Sequence, residues 1–585
     1  MGTAGGESGY VAAKPDNPDI VLGGNYGGDL SWINHRTNIS RDISPWPDNP
    51  MGHGAEDLKQ RFQWTFPIVF SPHDPNVVYT SSQHLFRSKN LGKSWDIISP
   101  DLTKNDKSKQ GSSGGPITKD NTSVEYYCTI FTVAESPVER GVIWTGSDDG
   151  LIHVSRNDGK SWTKVTPAGM PEWGLVSMIE ASPTKKGAAW AAIDNHENND
   201  YRPYIYYTAD YGKTWTRMDK GIAQDTFVRC VREDSMNPNL VFASTESGVY
   251  VSFSAGRDWQ PLQLNLPAVP VHDLTIKNGD LILATHGRSF WSLDDISYLR
   301  QLAAANASQP YLFVPGQAER IRWGGQPGPD DIAGGNPPSG LVINYYLPKD
   351  AESVELSIQD WDGKQFMQLT GPKKSGLNRT TSYLQRPSYK STPGFLFWGA
   401  FPQPITMPPG TYTLVLKVDG KTYSQKFRWN RDPRADSTDA EYMEGYKTAV
   451  RIAELTEQTN AAVIRSREVR TQISEKISAK PELAKAGNDL MSQLQAVEDE
   501  LHQSKIQSGQ DPLNYPIKLN NKIAALLGSF TGEYAPTRQA YQVFDDLSKQ
   551  IGVQLDRLNK LYKVQLVEFN EKVRSAGLDP VKVTE

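Results

Sequence analysis

Cysteine is nearly absent from this chain. Its 585 residues carry two, Cys128 and Cys230, so no disulfide framework holds it together. A basic surplus is also absent. The formal net charge is −5, which leaves no electrostatic reason to expect nucleic acid or an anionic membrane surface as a partner. No apolar run is long enough to span a bilayer. Met1-Gly-Thr-Ala-Gly-Gly6 has neither the charged nor the apolar region of a signal peptide. The histidines form no His-x-x-x-His or His-Glu-x-x-His pair, and there is no phosphate loop or Gly-x-Ser-x-Gly elbow. Asp148-Asp149 and Asp360-Trp-Asp362-Gly363 lack the dense oxygen series of a calcium loop and read as turn caps. No metal or cofactor is expected.

What the chain does have is turns and rings: 48 glycines, 39 prolines, 25 tyrosines and 15 tryptophans. That composition favours β-rich architecture, and the length suggests several domains. The main signal is an internal repeat. Ser88-Lys-Asn-Leu-Gly-Lys-Ser-Trp95 recurs as Ser155-Arg-Asn-Asp-Gly-Lys-Ser-Trp162, as Thr208-Ala-Asp-Tyr-Gly-Lys-Thr-Trp215 and, more loosely, as Ser252-Phe-Ser-Ala-Gly-Arg-Asp-Trp259. The shared pattern is Ser/Thr-x-Asx-x-Gly-x-x-Trp. The Asx (Asn90, Asn157, Asp210) hydrogen-bonds its own turn, the Gly takes a left-handed conformation, and Trp95, Trp162, Trp215 and Trp259 bury area against a neighbouring sheet. The spacing suits four-stranded units of ~40–50 residues with loop insertions. Before each such turn lies a β-rich stretch broken by proline, as in Phe66–Tyr79, Thr129–Pro137, Met178–Pro183 and Val228–Pro238. Gly9–Val21 opens an earlier unit and Val271–Ile276 a last one. Residues 1–298 thus read as a β-propeller of about six blade units, open to further blades.

Residues 299–339 read as a linker, rich in Gly and Pro from Pro315 to Ser339. Alternation in Leu341–Tyr346 and Val354–Ile358, with a hairpin turning at Asp419-Gly420, predicts an immunoglobulin-like β-sandwich over 340–431. A capping box at Thr438/Glu441 then opens a helical bundle over 436–585. Breaks are expected near Lys480-Pro481 and between Gly509 and Pro516. Ile551, Leu555, Leu558, Tyr562, Phe569 and Val573 share one helical face. The fold class is multidomain and mainly β, ending in helices.

The repeated turns, Gly146-Ser-Asp-Asp-Gly-Leu-Ile-His153, Ala284-Thr-His-Gly-Arg-Ser-Phe-Trp291 and Trp64-Thr-Phe-Pro-Ile-Val-Phe-Ser-Pro-His-Asp-Pro75 resemble bacterial BNR (Asp-box) repeat proteins related to the sortilin/VPS10 propeller, often labelled glycosyl hydrolases. The resemblance covers most of the chain. It implies an exported, extracytoplasmic protein and a chain that lacks the N-terminal blades of longer family members. The cysteine-rich module of sortilin has no counterpart here, so peptide sorting is not implied.

The Asp-box residues are structural, because they sit on the outer hairpin of a blade. Candidate ligand contacts belong instead where inner strands begin: Arg61, Trp64, Tyr126, Trp173, Arg229 and His272. This mix of rings and charges suits a sugar cleft. Glycosidase chemistry needs two facing carboxylates, for which Glu125 with Asp273 or Asp225 is the pair to test. A sialidase would require an arginine trio that no motif singles out. Three functions compete. The first is a propeller that binds a carbohydrate polymer or a protein partner. The second is a glycoside hydrolase with paired axial carboxylates. The third is a scaffold that self-associates or assembles through its helical tail. The hydrolase label rests on a repeat remote from the axis, and fold alone does not choose.

Overall fold

The computed structural model describes residues 5–7, 9–302, 308–324, 328 and 334–584. The chain divides into two compact units, Met1–Ala304 and Ala305–Glu585.

The first unit is a series of six small antiparallel sheets, each a meander of consecutive strands. The first sheet comprises Val11–Lys14, Asn17–Gly24, Leu30–Asn34 and Ile39–Asp42. The second comprises Ile68–Ser71, Asp74–Ser81, Leu85–Ser88 and Asp96–Ile97. The third runs Ile130–Glu135, Ile143–Ser147, Ile152–Ser155 and Thr163–Lys164, and the fourth Leu175–Ala181, Ala189–Asp194, Tyr204–Thr208 and Thr216–Arg217. The fifth has Val228–Glu233, Val241–Thr245, Gly248–Ser252 and Gln260–Pro261. The sixth has three strands, Val271–Lys277, Asp280–Thr285 and Phe290–Leu293. First strands of successive sheets lie side by side from the first sheet through to the sixth. The second strands of the third, fourth and fifth sheets are buried along their whole length. That explains why they read as unbroken small and apolar runs such as Ala189-Trp-Ala-Ala-Ile193 rather than as alternating ones.

The repeated turn joins third and fourth strands, and its chemistry is the same each time. The leading hydroxyl accepts from the glycine N–H: Ser88 from Gly92 at 2.8 Å, Ser155 from Gly159 at 2.9 Å, Thr208 from Gly212 at 3.0 Å and Ser252 from Gly256 at 2.9 Å. Asn90, Asn157 and Asp210 accept from the N–H four residues on, at 3.0, 2.9 and 2.9 Å. These glycines are left-handed, as is the residue before each (Leu91, Asp158, Tyr211, Ala255). Each tryptophan then donates its indole N–H to a main-chain carbonyl of the preceding sheet. Trp95 reaches Ile43 at 2.8 Å, Trp162 Ile98 at 2.9 Å, Trp215 Val165 at 2.6 Å and Trp259 Met218 at 2.7 Å. The glycines press on the same neighbour. A Cβ on Gly92 would stand 2.6 Å from Ile43, and one on Gly212 2.6 Å from Val165.

In the second unit a three-stranded sheet (Tyr311–Leu312, Leu341–Leu347, Gly376–Ser382) accompanies a five-stranded one (Ala318–Glu319, Lys421–Asn430, Gly410–Val418, Val354–Gln359, Gln365–Thr370). Two short strands therefore fall within the segment expected as a linker. Helices follow at Asp439–Ala479, Ala484–Leu501, Leu519–Leu526 and Arg538–Lys560, the last continuing through a wide turn at Leu561–Gln565 into Leu566–Ser575. Thr438 and Glu441 form the reciprocal capping box. One apolar core runs from Leu341, Ile343, Leu356, Leu414 and Trp429 to Ile452, Val463, Leu494, Ile551 and Phe569. Sheets and helices thus share a core. Arg320 adds a buried tie, with Nε 2.9 Å from Glu533.

Removing the indole donor while keeping an aromatic ring isolates the repeated tie. Trp215→Phe is expected to destabilise the full chain by about 1–2 kcal/mol by orphaning the Val165 carbonyl, and Trp215→Ala by about 3–5 kcal/mol. Urea unfolding measures both, and equal stability of wild type and Trp215→Phe would contradict the tie.

Candidate functional site

Where the first strands begin, rings and charges from the third to sixth sheets form a band. Lys104 Nζ sits 3.5 Å from the Trp173 ring centroid, and Tyr127 stacks on Trp173 at 6.1 Å. Trp173 is held left-handed, with φ 63°, a costly conformation for an aromatic residue. Next along, His196 stacks on Phe227 at 4.5 Å and 7°, and the Arg229 guanidinium lies 4.9 Å from the same ring. His196 Nδ1 is 2.6 Å from Asp194, and Arg229 pairs with Glu246 at 2.7 Å. His272 and His286 meet at 3.2 Å through their ring nitrogens. Desolvation, with Arg229 and His286 nearby, pushes His272 down to about 4 although the residue keeps an exposed surface.

Deeper in, the first strands converge on a cavity of about 330 Å³ whose lining includes Tyr10, Phe70, Thr132, Met178, Glu180 and Arg232, drawn from the first five sheets. Arg232 is its electrostatic centre. It donates to Glu180 at 2.6 Å, to Asp273 of the sixth sheet at 3.1 Å and to the Leu274 carbonyl at 3.0 Å. Cys230 Sγ donates to Asp273 at 3.2 Å. Burial raises the Cys230 thiol well above its ordinary value, so it is not a thiolate nucleophile. Burial also pushes the Tyr10 phenol far up.

The residues expected from sequence separate into three groups. Arg229 and His272 lie together in the band, with Trp173 further along it. Arg61, Tyr126 and Trp64 are spent on loops. Arg61 is buried and bonds Asp101 at 3.0 Å and the Cys128 carbonyl at 3.1 Å. Tyr126 donates to the carbonyls of Pro50 and His53, and Trp64 to the Glu7 carbonyl at 3.0 Å. Glu125 and Asp225 are exposed, and neither makes a side-chain hydrogen bond or ion pair among the described residues. Asp273 is engaged by Arg232 rather than by either of them. Glu180, Arg232 and His196 carry no signal in the sequence pattern, whereas Asp148 is expected there as a turn cap. Glu180 and Arg232 are two residues beyond Met178 and Cys230, which is the spacing of one strand face.

Asp148 is the most perturbed of the acids near the band. Burial pushes it up to about 8, with Asp149 adding to the shift. Its oxygens meet the Thr129 N–H at 2.8 Å and the Thr129 hydroxyl at 2.7 Å, so it caps the start of the third sheet's first strand.

No family model matches the chain, and no curated protein does. Among solved structures, a GH74 xyloglucanase from Xanthomonas campestris is 15% identical over 58% of this chain and 50% of its own, with a TM-score of 0.36. YCF48 from Cyanidioschyzon merolae is 11% identical over 48% and 80%, at 0.33. PorZ, a surface component of the type-IX secretion system of Porphyromonas gingivalis, is 12% identical over 72% and 51%, at 0.34. The chain thus spans about half the length of the xyloglucanase. Likenesses this slight say nothing of activity.

A carboxyl group that holds its proton longer when folded weakens the fold as pH rises between the unfolded and folded values. Asp148 therefore costs stability progressively from about pH 4 to pH 8. Asp148→Asn, which keeps both contacts to Thr129, is expected to gain stability relative to wild type as pH rises through that window. Denaturation at several pH values measures it, and a pH-independent difference would contradict a protonated Asp148.

Proposed function

We propose that residues 1–298 are a β-propeller of the Asp-box, sortilin-like kind, with an immunoglobulin-like sandwich over 340–431 and a helical bundle over 436–585. We propose further that this is an extracytoplasmic protein that binds a carbohydrate polymer or a protein partner without cleaving it. The extracytoplasmic setting is supported by the family resemblance alone. The binding role is supported by one observation above the rest, the fate of the carboxylates around the cavity and the band. Glu180 and Asp273 both bond Arg232, Glu246 bonds Arg229, and Asp194 bonds His196. A glycosidase needs two carboxyl groups about 5–5.5 Å or 6.5–9.5 Å apart across an open cleft, one of them a proton donor. Asp148 holds a proton, but it is buried against Thr129. The absence of any described helix long and apolar enough to cross a membrane is compatible with this role.

The band also bears on how a sugar would be held. The Trp173 ring has Lys104 and Tyr127 against it, and Phe227 has His196 and Arg229. Polar contact through Arg229, His272 and Glu246 is then the means of recognition, rather than stacking on a bare ring.

A glycan-array screen beside hydrolysis assays on the same polysaccharides tests the proposal, with Arg229→Ala and Glu125→Gln as variants. Binding that weakens at least about tenfold in Arg229→Ala, with no product from wild type, is the expected result. Product release abolished in Glu125→Gln would establish a hydrolase instead. Silence in both assays would remove carbohydrate and leave a protein partner.

A further inference from the structure

The six sheets are built alike except at one edge. In the first five, a short fourth strand pairs with the third and is followed by an apolar residue, Ile43, Ile98, Val165, Met218 or Leu262. The N–H of that residue donates to a third-strand carbonyl. The acceptors are Leu30 at 2.8 Å, Leu85 at 2.9 Å, Ile152 at 2.8 Å, Ile205 at 2.7 Å and Val249 at 2.8 Å. In the first three sheets the next residue, Ser44, Ser99 or Thr166, closes the slot by accepting the N–H of the same third-strand residue, at 2.9, 2.7 and 3.0 Å. The closing segments are therefore two extended residues, then an aliphatic residue, then in three cases a hydroxyl.

Among the described residues, the sixth sheet has no such segment. Its hairpin bond from the Thr285 N–H to the Ser289 carbonyl, at 3.2 Å, sets the phase of the ladder. Paired residues alternate from there between bonded and non-bonded. Phe290 and Ser292 thus sit in non-bonded pairs with Ala284 and Ile282, and their N–H and C=O groups point outward. Phe290 occupies the place of Leu85, Ile152 and Val249. Leu85 and Ile152 are 0% exposed and Val249 1%, whereas Phe290 is 77% exposed. The second strand confirms the open side. Asp280–Thr285 buries alternate residues, whereas its counterparts in the third to fifth sheets are buried throughout. Trp291 spends its indole N–H on Arg288 within its own turn, at 3.0 Å.

We propose that the edge Phe290–Leu293 is a strand-addition site that takes an extended segment of another polypeptide. The segment presents two extended residues, then an aliphatic residue, then Ser or Thr. Main-chain bonds to Phe290 and Ser292 supply affinity, and the aliphatic side chain covering Phe290 supplies selectivity. The occupant's chemistry comes from the internal examples, Asp96-Ile-Ile-Ser99 and Thr163-Lys-Val-Thr166 above all. An open edge flanked by an exposed phenylalanine is otherwise an aggregation hazard. The edge uses none of the proposed glycan contacts Arg229, His272 and Glu246, so each proposal can fail without the other.

A synthetic peptide with the sequence of Ser161–Ala168 is the probe, added in excess to the full chain, with a Val165→Asp version of the peptide as control. Amide hydrogen exchange at Ser292 is the readout. Exchange slowed at least about tenfold by the peptide, unaffected by the control, and peptide binding lost in the Ser292→Pro protein, are the expected results. Proline is tolerated on an edge strand, and circular dichroism confirms that the variant is folded. Unchanged exchange at Ser292, or equal protection by the control peptide, would overturn the proposal. So would protection without peptide that grows with protein concentration, which would assign the edge to a second copy of this chain.

Discussion

The indole N–H of one sheet bonded to the last carbonyl of the sheet before it is the interaction on which the first unit depends. It converts a local turn into a rule for stacking sheets. The Ser/Thr, Asx and Gly of the turn set its shape within seven residues, and the tryptophan reads out the position of the neighbour. Because the glycine also abuts that neighbour, a sheet displaced along its partner loses a hydrogen bond and creates a clash together. Four repetitions fix five sheets, and each tie involves a carbonyl that would otherwise lie unpaired at a sheet margin. Among the described residues the sixth sheet has no turn of this kind after its third strand, and that sheet's far side is the exposed one.

At the inner ends of the sheets the constraint is electrostatic. Arg232 brings together carboxylates from the fourth and sixth sheets beside the cavity that the first strands line. A guanidinium desolvated this far is tolerable only when its donors are met, and Glu180, Asp273 and the Leu274 carbonyl meet them. The same arrangement takes these acids out of chemistry. At the strand-start end, Arg229 and His272 occupy bulged positions of the fifth and sixth first strands. A bulge re-aims a side chain, and here it turns two polar groups toward one another at neighbouring sheets.

The repeated turn was legible in the sequence because every residue in it has a distinct conformational duty. The helical breaks at Lys480-Pro481 and before Pro516 were legible for the same reason. The Glu180–Arg232–Asp273 cluster was not. The first strands of the fourth and fifth sheets each carry a one-residue bulge, between Val176 and Met178 and between Val228 and Cys230, and a one-residue shift exchanges the faces of a strand. Parity counted from the strand start therefore points Glu180 and Arg232 the wrong way. Asp273 was noticed for its position at a strand start, and its partner Arg232 is forty-odd residues away in sequence. The short strands Tyr311–Leu312 and Ala318–Glu319 have two residues each, too few for any periodicity. The core shared by sheets and helices in the second unit escaped notice because an apolar helical face does not say what covers it.

The central claim is that the sheets are one repeated unit whose sixth copy is open. The most direct measurement is native-state amide exchange compared at equivalent third-strand positions: Arg87, Val154, Tyr207 and Val251, which face a fourth strand, against Ser292, which faces none among the described residues. Exchange at Ser292 is expected to be faster than at the other four by about a hundredfold or more. Protection of Ser292 equal to theirs in the isolated chain would contradict it.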